Sequence, residues 1–478
     1  MRIEIVNGLQ KYKDQLFPIV QALAERGGIA YLVGGCVRDM VLNLPLKDLD
    51  IEVHNMELDA LHDVLRRFGH VEEVGKKFGV LLLLGLAIDW SLPRSDSSGR
   101  KPHVILQPQL DIKQALQRRD LTMNAMAINL TTVVCEGLQE ITTHDIIDPF
   151  GGLRDIAANQ MRAVDDAFFV QDPLRLLRVM QFAGRFGMAP TPELDALCAR
   201  MPLYDTYDDR PLARERIQSE VVKLLLLAPQ PSVGFAWLMR ISRAEELFPF
   251  LKDNPEALPV IDRLAPHVQA CSTDEQVMLF LTALSYRPLM SLEAQQIAAP
   301  QDERVFDFNL DKEMPDHPEE DRRSVSKEMS GNRMSNKNLL INCTDSHKTI
   351  KAVEVILQII PQLKNLSDDA AGLIAIKKIA AQLAAVQTSL ALVSKLSWCL
   401  FESTAQAVEQ SLVYCVADRA GVLNGPEEAL VQGRDLLNQI PPGPELGRLV
   451  ALAYQLQLEE SVRDKQALIE RLMAERGA

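Results

Sequence analysis

Seven cysteines in 478 residues form no Cys-x-x-Cys pair and no zinc-type spacing. That excludes a disulfide framework and a sequence-legible zinc site, and it fits reduced thiols. No apolar run approaches the roughly 18–20 residues that span a bilayer. The opening stretch MRIEIVNGLQKYKDQL carries charges where a secretory signal needs an apolar core. Positive charge is also short, with 51 Lys and Arg against 65 Asp and Glu for a net −14. This argues against a general polyanion binder and against any long, sequence-blind RNA track, although a local basic surface remains compatible with an acidic protein. Internal repeats and low-complexity tracts are absent as well. The expectation is a soluble, cytoplasmic protein with no membrane association.

What is present is enough apolar content, 47%, to bury more than one core, and the length predicts two to four domains. Residues 16–27 read as an amphipathic helix ahead of the strand-like IAYLVGG. DLDIEVHN and VLLLLGLAIDWSL are further strand candidates, and ELDALHDVLRRFG between them has helical spacing and a terminal Gly. After DPFGGLRDI the pattern turns helical, and only the charge-dense residues 298–338 interrupt it as a predicted linker or long loop. The picture is a mixed head followed by a long helical body.

The densest chemistry lies in LVGGCVRDMVLNLPLKDLDIEV, residues 32–53. Asp48 and Asp50 stand two apart on a predicted strand, so their carboxylates share a face. Like charges that close call for a cation, and oxygen-only ligation suits Mg²⁺. The bland alternative is a pair of solvated acids on an edge strand. Gly34 and Gly35 weigh against it, because they let backbone approach a phosphate that Arg38 can pair with. Carboxylate-held Mg²⁺ beside a phosphate cradle is the apparatus of nucleotidyl transfer. Asp89 is the candidate third acid, and Glu52 continues the alternation or faces solvent.

Two later segments add to this. In RRDLTMNAMAINL, Arg118 and Arg119 have the charge to neutralise a triphosphate, while Asp120 and Asn124 suit a ribose hydroxyl or the holding of those arginines. The alternative is a helix capped by Asp120. In QDPLRLLRVMQFAGRFG, Asp172, Arg175 and Arg178 recur every three residues. Such a stripe is either a surface salt-bridge ladder or a base reader. Cytosine and adenine each present an amino donor beside a ring-nitrogen acceptor, which a carboxylate and a guanidinium complement.

Together LVGGCVRDMVLNLPLKDLDIEV, VGKKFGV, RRDLTMNAMA, DPFGGLRDI and QDPLRLLRVMQFAGRFG resemble, in order, the class II nucleotidyltransferases, the group of bacterial CCA-adding tRNA nucleotidyltransferases and poly(A) polymerases. The C-terminal LVQGRDLLNQIPPGPELGRLVALAYQLQLEE is similar to the tail of long bacterial members. The resemblance implies an α+β fold, a head with a five-stranded mixed sheet and helices followed by all-α neck, body and tail. It implies a catalytic head over 1–150, a base-recognising neck over 151–250, a body over 251–345 and a tRNA-binding tail over 346–478. It places Mg²⁺ on Asp48 and Asp50, the triphosphate on Gly35 and Arg38, the nucleotide on Arg119, and the base on Asp172 and Arg175 with Arg178 alongside. The implied partners are ATP, CTP and the 3′ acceptor end of tRNA, and no protein partner is indicated. CCA addition is the expected activity, with poly(A), CC-only or A-only synthesis as alternatives, and a non-catalytic RNA-binding scaffold as the reading from another class. The chain departs from the pattern at Gln171 and Gln181, where the family usually has Glu and Arg. Where long relatives carry a phosphohydrolase His-Asp pair, this chain has Tyr286-Arg287, so no phosphohydrolase activity is expected.

Overall fold

The computed structural model describes residues 2–3, 9–46, 48–74, 79–86, 88–96, 104–205, 210–252, 254–286, 343–344, 346–401 and 407–476. The predicted linker 298–338, most of VGKKFGV and Arg287 lie outside the described residues. The chain forms two compact units, Met1–Ala244 and Glu245–Ala478.

In the first unit, helix α1 (Lys13–Ala24) buries Leu16, Ile19, Val20 and Leu23 on one face. Strand β1 (Ile29–Val33) turns through Gly34 into the short helix α2 (Gly35–Val41). Gly34 has φ of 76°, the left-handed region that glycine enters at little cost. There follow β2 (Leu49–His54), α3 (Leu58–Leu65), β3 (Val71–Val74), β4 (Val80–Leu83) and β5 (Ile88–Ser91). Helix α4 (Ile112–Gln117), capped by the Asp111 carboxylate, precedes β6 (Ala127–Asn129) and β7 (Ile146–Ile147).

These strands make one mixed sheet in the order β7-β6-β1-β2-β5-β4-β3, antiparallel throughout except for the parallel pair β2 and β5. The sheet has seven strands where five were expected. The additional pairing involves segments that show little strand pattern in sequence. β7 is two residues long, and β3 reads Val-Glu-Glu-Val with two charges. The run VLLLLGLAIDWSL is not one strand but the hairpin β4–β5, broken by Gly85 at φ of 90°. The core beneath the sheet gathers Leu32, Ile51, Val53, Ile88 and Trp90 with Leu16, Ile19 and Leu23 of α1.

The rest of this unit is helical near the site. Helix α5 (Leu174–Phe186) buries Leu176, Leu177, Val179, Met180 and Ala183 and packs against α6 (Arg214–Leu227) and α7 (Pro231–Arg240). The approach is close, since a side chain at Gly234 would meet the Met180 carbonyl oxygen at 2.5 Å.

The second unit contains helices and no strand among its described residues. They are α8 (Ala257–Val268), α9 (Thr273–Ser285), α10 (His347–Lys364), α11 (Ala370–Ala384), α12 (Leu390–Phe401), α13 (Leu412–Arg419), α14 (Pro444–Glu460) and α15 (Lys465–Arg476). The Arg263 guanidinium donates to the Cys399 carbonyl at 2.9 Å and ties α8 to α12. Tyr286 ends α9 with its ring edge-on to Phe401 at 5.9 Å. A smaller core closes the C-terminal end, where Leu449 and Ala453 of α14 meet Leu468 and Leu472 of α15. No helix among the described residues is long and apolar enough to cross a membrane.

Candidate functional site

The acids meet where β2 and β5 run side by side. In their parallel register Asp50 stands opposite Asp89, and Asp48 lies just ahead of β2. Asp48 and Asp89 are exposed, while Asp50 is half-buried. Burial raises the Asp50 carboxyl above its ordinary range. Arg119 draws it down, and the charges of Asp89 and Asp48 push it up again. Asp89 is also raised, first by burial and then by Asp48. Burial is thus the main cause at both Asp50 and Asp89, with the neighbouring acids adding to it. Cys36, on α2, lies behind them. Its thiol donates to the Asp48 carbonyl at 3.1 Å and accepts from the Asp50 N–H at 3.2 Å. Burial, with the Asp50 charge added, pushes that thiol up to about 12, so it remains protonated at neutral pH.

Glu52 does not face solvent. It is buried, and His54 Nε2 lies 3.0 Å from its carboxylate while His54 Nδ1 lies 2.9 Å from the Leu110 carbonyl. Burial acts to raise the Glu52 carboxyl, but the hydrogen bond from His54 and the charge of Arg119 outweigh it and leave it below its ordinary range.

Arg119 is the guanidinium nearest this acidic edge in electrostatic effect. It lies against Gly34, where any Cβ would collide with its Nη1. Among the described residues no hydrogen bond or ion pair engages the Arg119 side chain, so a cation stands ready beside Asp50. Arg38 is different. Only 4% exposed, it donates through Nε and Nη2 to Asp39 and through Nη1 to Asn124 at 2.6 Å. Its guanidinium also lies over the rings of Phe182 and Phe186, 5.2 and 4.6 Å from their centroids. The structure therefore shows Arg38 buried, bracing α2 against Asn124 and the rings of α5.

Asp120 and Asn124 hold Arg178 and Arg38 instead of the Arg118 and Arg119 expected from sequence, and Asp120 does not cap a regular helix. Thr122–Asn124 forms a single 3-10 turn. Asp120 accepts from the Leu121 N–H at 2.8 Å, from Asn124 Nδ2 at 2.9 Å and from Arg178 Nε at 2.6 Å. Burial acts to raise this carboxyl, yet the Arg178 charge and these hydrogen bonds bring it down to about 2. An unbroken chain of polar contacts thus runs from Asp39 through Arg38, Asn124 and Asp120 to Arg178.

Asp172 precedes α5 and is not part of its helical ladder, because the helix begins at Leu174. One carboxylate oxygen accepts from the Leu174 N–H at 3.1 Å, and the other takes Arg216 of α6 at 2.9 Å. Arg175 donates to the carbonyls of Phe168 and Arg118, which fixes its guanidinium beside the Arg118–Arg119 turn. Gln181 is buried on α5, and its amide nitrogen has no hydrogen bond among the described residues. Sequence reasoning missed Asp39, Arg216, Cys36 and the Phe182–Phe186 pair. Asp39 was legible in principle as the acid following Arg38, but Arg216 joins the site only through the packing of α5 on α6.

Among the described residues no group of three or more His, Cys, Asp or Glu side chains is close enough to enclose a metal unaided. The donor set nonetheless fits a hard divalent cation of the Mg²⁺ kind. It is all oxygen and open to solvent at Asp48 and Asp89, and such ions keep several waters or phosphate oxygens in their shell.

Residues 30–162, which contain these acids and Arg119, match the poly A polymerase head domain. This head domain therefore resembles those of the nucleotidyltransferases that include CCA-adding enzymes and poly(A) polymerases. The chain is similar to a protein named "Multifunctional CCA protein" from Haemophilus ducreyi, 36% identical over 226 residues, covering 46% of this chain and 50% of that one. A protein of the same name from Chromobacterium violaceum is 32% identical over 255 residues, covering 52% and 56% respectively. The chain thus spans about half the length of the curated relatives it matches. Among solved structures it resembles the CCA-adding enzyme of Bacillus stearothermophilus in complex with CTP, with a TM-score of 0.65 at 19% identity over 97% of this chain and 98% of that one. It also resembles the Thermotoga maritima CCA-adding enzyme complexed with tRNA, with a TM-score of 0.58 at 19% identity over 99% of each. At these identities the likeness establishes a shared fold.

Proposed function

We propose that this chain is a template-independent, Mg²⁺-dependent tRNA nucleotidyltransferase, cytoplasmic, that uses CTP and ATP to build and repair the 3′ CCA end. The observation that carries this reading is the Asp50–Asp89 pairing beside Asp48, with Arg119 lying against Gly34 at the same edge. Relatives with the CCA name and a fold shared with CTP- and tRNA-bound enzymes support it.

In this reading Asp48 and Asp50 hold the ion, and Asp89 adds negative charge beside them. Bound Mg²⁺ would supply the positive charge that favours the 3′-alkoxide and neutralises the triphosphate. Arg119 pairs with the phosphates along the backbone of Gly34 and Gly35, while Arg38, Asn124, Asp120 and Arg178 brace the wall. Asp172 and Arg175 offer an acceptor and a donor to the edge of cytosine or adenine, the complement that uracil and guanine lack. The helical second unit grips the acceptor arm by shape and phosphates, because A-form RNA exposes little readable base edge. Head, neck, body and tail over 1–150, 151–250, 251–345 and 346–478 remain the proposed division, with a body that has no phosphohydrolase activity.

The test is incubation with tRNA lacking its last three, two or one nucleotides, each NTP supplied separately, with product length as the readout. CTP should extend the first two substrates and stop at CC, and ATP should extend the last by one nucleotide and stop at CCA. Long adenosine tails would identify a poly(A) polymerase, and no Mg²⁺-dependent incorporation would favour a binding scaffold.

A further inference from the structure

Asp48 and Asp50 work as a pair only if the chain between them holds a fixed shape, and Asp48 lies outside the strand that fixes Asp50. β2 begins at Leu49, so the ladder with β1 and β5 does not fix Asp48. What grips both acids is one atom from another element. The sulfur of Cys36 donates to the Asp48 carbonyl and accepts from the Asp50 N–H, at 3.1 and 3.2 Å. The two groups flank Leu49, the Asp48 carbonyl before it and the Asp50 N–H after it, and a thiol satisfies them together because it is both donor and acceptor. Cys36 in turn is seated on α2 directly after the Gly34 turn, the backbone against which Arg119 rests.

We propose that Cys36 is a positioning residue that sets the spacing of the two Asp carboxylates and couples it to the glycine turn. This rests on the reading of Asp48 and Asp50 as the metal pair. A sulfur that only filled space there would tolerate loss of its hydrogen bonds, whereas a positioning sulfur would not. The discriminating variants are Cys36→Ser and Cys36→Ala, which remove nearly the same volume and differ by one hydroxyl. Mn²⁺ serves as the probe, with affinity of the full-length protein measured by electron paramagnetic resonance in the absence of nucleotide, alongside kcat and KM for ATP.

Cys36→Ser is expected to keep Mn²⁺ affinity and kcat within about threefold of wild type, since its hydroxyl both donates and accepts. Cys36→Ala is expected to lose roughly tenfold in both, which one hydrogen bond of about 1.4 kcal/mol produces, with KM for ATP little changed. Equal behaviour of the two variants overturns the proposal. Should the alanine variant fail to fold, the isosteric pair Cys36→Thr and Cys36→Val repeats the comparison with the same expected order, and equality there overturns it too. Wild-type protein that binds no Mn²⁺ would instead refute the metal pair itself.

Discussion

The carboxylate of Asp120 holds the chain of contacts behind the site together, and its removal has a signature that depends on pH. The residue is 7% exposed and accepts from Arg178 at 2.6 Å. Its carboxyl sits at about 2 in the folded protein against an ordinary 3.8. Each unit is worth about 1.4 kcal/mol, so the ionised form contributes about 2 kcal/mol of folding stability. Because the folded value is depressed, that contribution is complete above the unfolded value and fades as pH falls from about 4 toward about 2, with roughly half lost by pH 3. Asp120→Asn keeps the shape and removes the charge. It should therefore destabilise the first unit by about 2 kcal/mol at pH 7 and by roughly half as much at pH 3. The assay is urea unfolding followed by tryptophan fluorescence. Of the three tryptophans, Trp90 and Trp237 lie in the first unit and Trp398 in the second, so both proteins carry Trp398→Phe to confine the signal to the first. A difference that is constant between pH 7 and pH 3, or below about 0.5 kcal/mol at pH 7, would refute the argument, since that is the scale of a solvated surface pair.

Other perturbations follow from the same geometry. Gly34→Ala introduces a side chain where φ is 76° and where Arg119 lies, so KM for nucleoside triphosphates should rise at least about tenfold while the backbone strain costs only about 1 kcal/mol of stability; unchanged KM in steady-state kinetics would separate Arg119 from the phosphates. Asp172→Ala should lose discrimination against UTP and GTP as well as rate, because each lost hydrogen bond to a charge is worth roughly 1.5–3 kcal/mol. Arg216→Ala, which frees one Asp172 oxygen from an exposed pair, should cost at most about 1 kcal/mol of stability and leave selectivity for C and A in place. Incorporation of all four NTPs by both variants decides whether Asp172 reads the base or belongs to a surface pair.

The outline of the fold was legible because its main elements carry their own periodicity. The helix at α1, the strands at β1 and β2 and the all-helical second half each show in the spacing of apolar residues. The sheet was undercounted where that signal is absent. β7 offers two residues, β3 alternates charge with valine, and the β4–β5 hairpin is hidden in one apolar run whose break is Gly85. The site followed the same division. Asp50 and Asp89 were readable as acids on strand-like runs, and the register between β2 and β5 brings them together, whereas Asp48, read as a strand residue, lies just ahead of β2. What sequence spacing does not carry is which partner a charge takes. Asp172 and Arg178 stand six residues apart, yet the first turns to Arg216 and the second to Asp120, choices made by the packing of α5 against α6 and by the turn at Asp120. Arg38 likewise reads as a phosphate ligand in sequence and is enclosed by Asp39, Asn124, Phe182 and Phe186 in the fold.

The central claim is that the acids at the β2–β5 edge perform nucleotidyl transfer, and single-turnover addition of ATP to tRNA lacking its terminal adenosine tests it most directly. Wild type, Asp48→Ala and Asp50→Ala are compared at saturating Mg²⁺, with melting temperature measured in parallel. Each substitution should slow addition by roughly a thousandfold or more, about 4 kcal/mol in the barrier, while the proteins remain folded. If either folded variant adds adenosine within about tenfold of the wild-type rate, these carboxylates do not carry the chemistry.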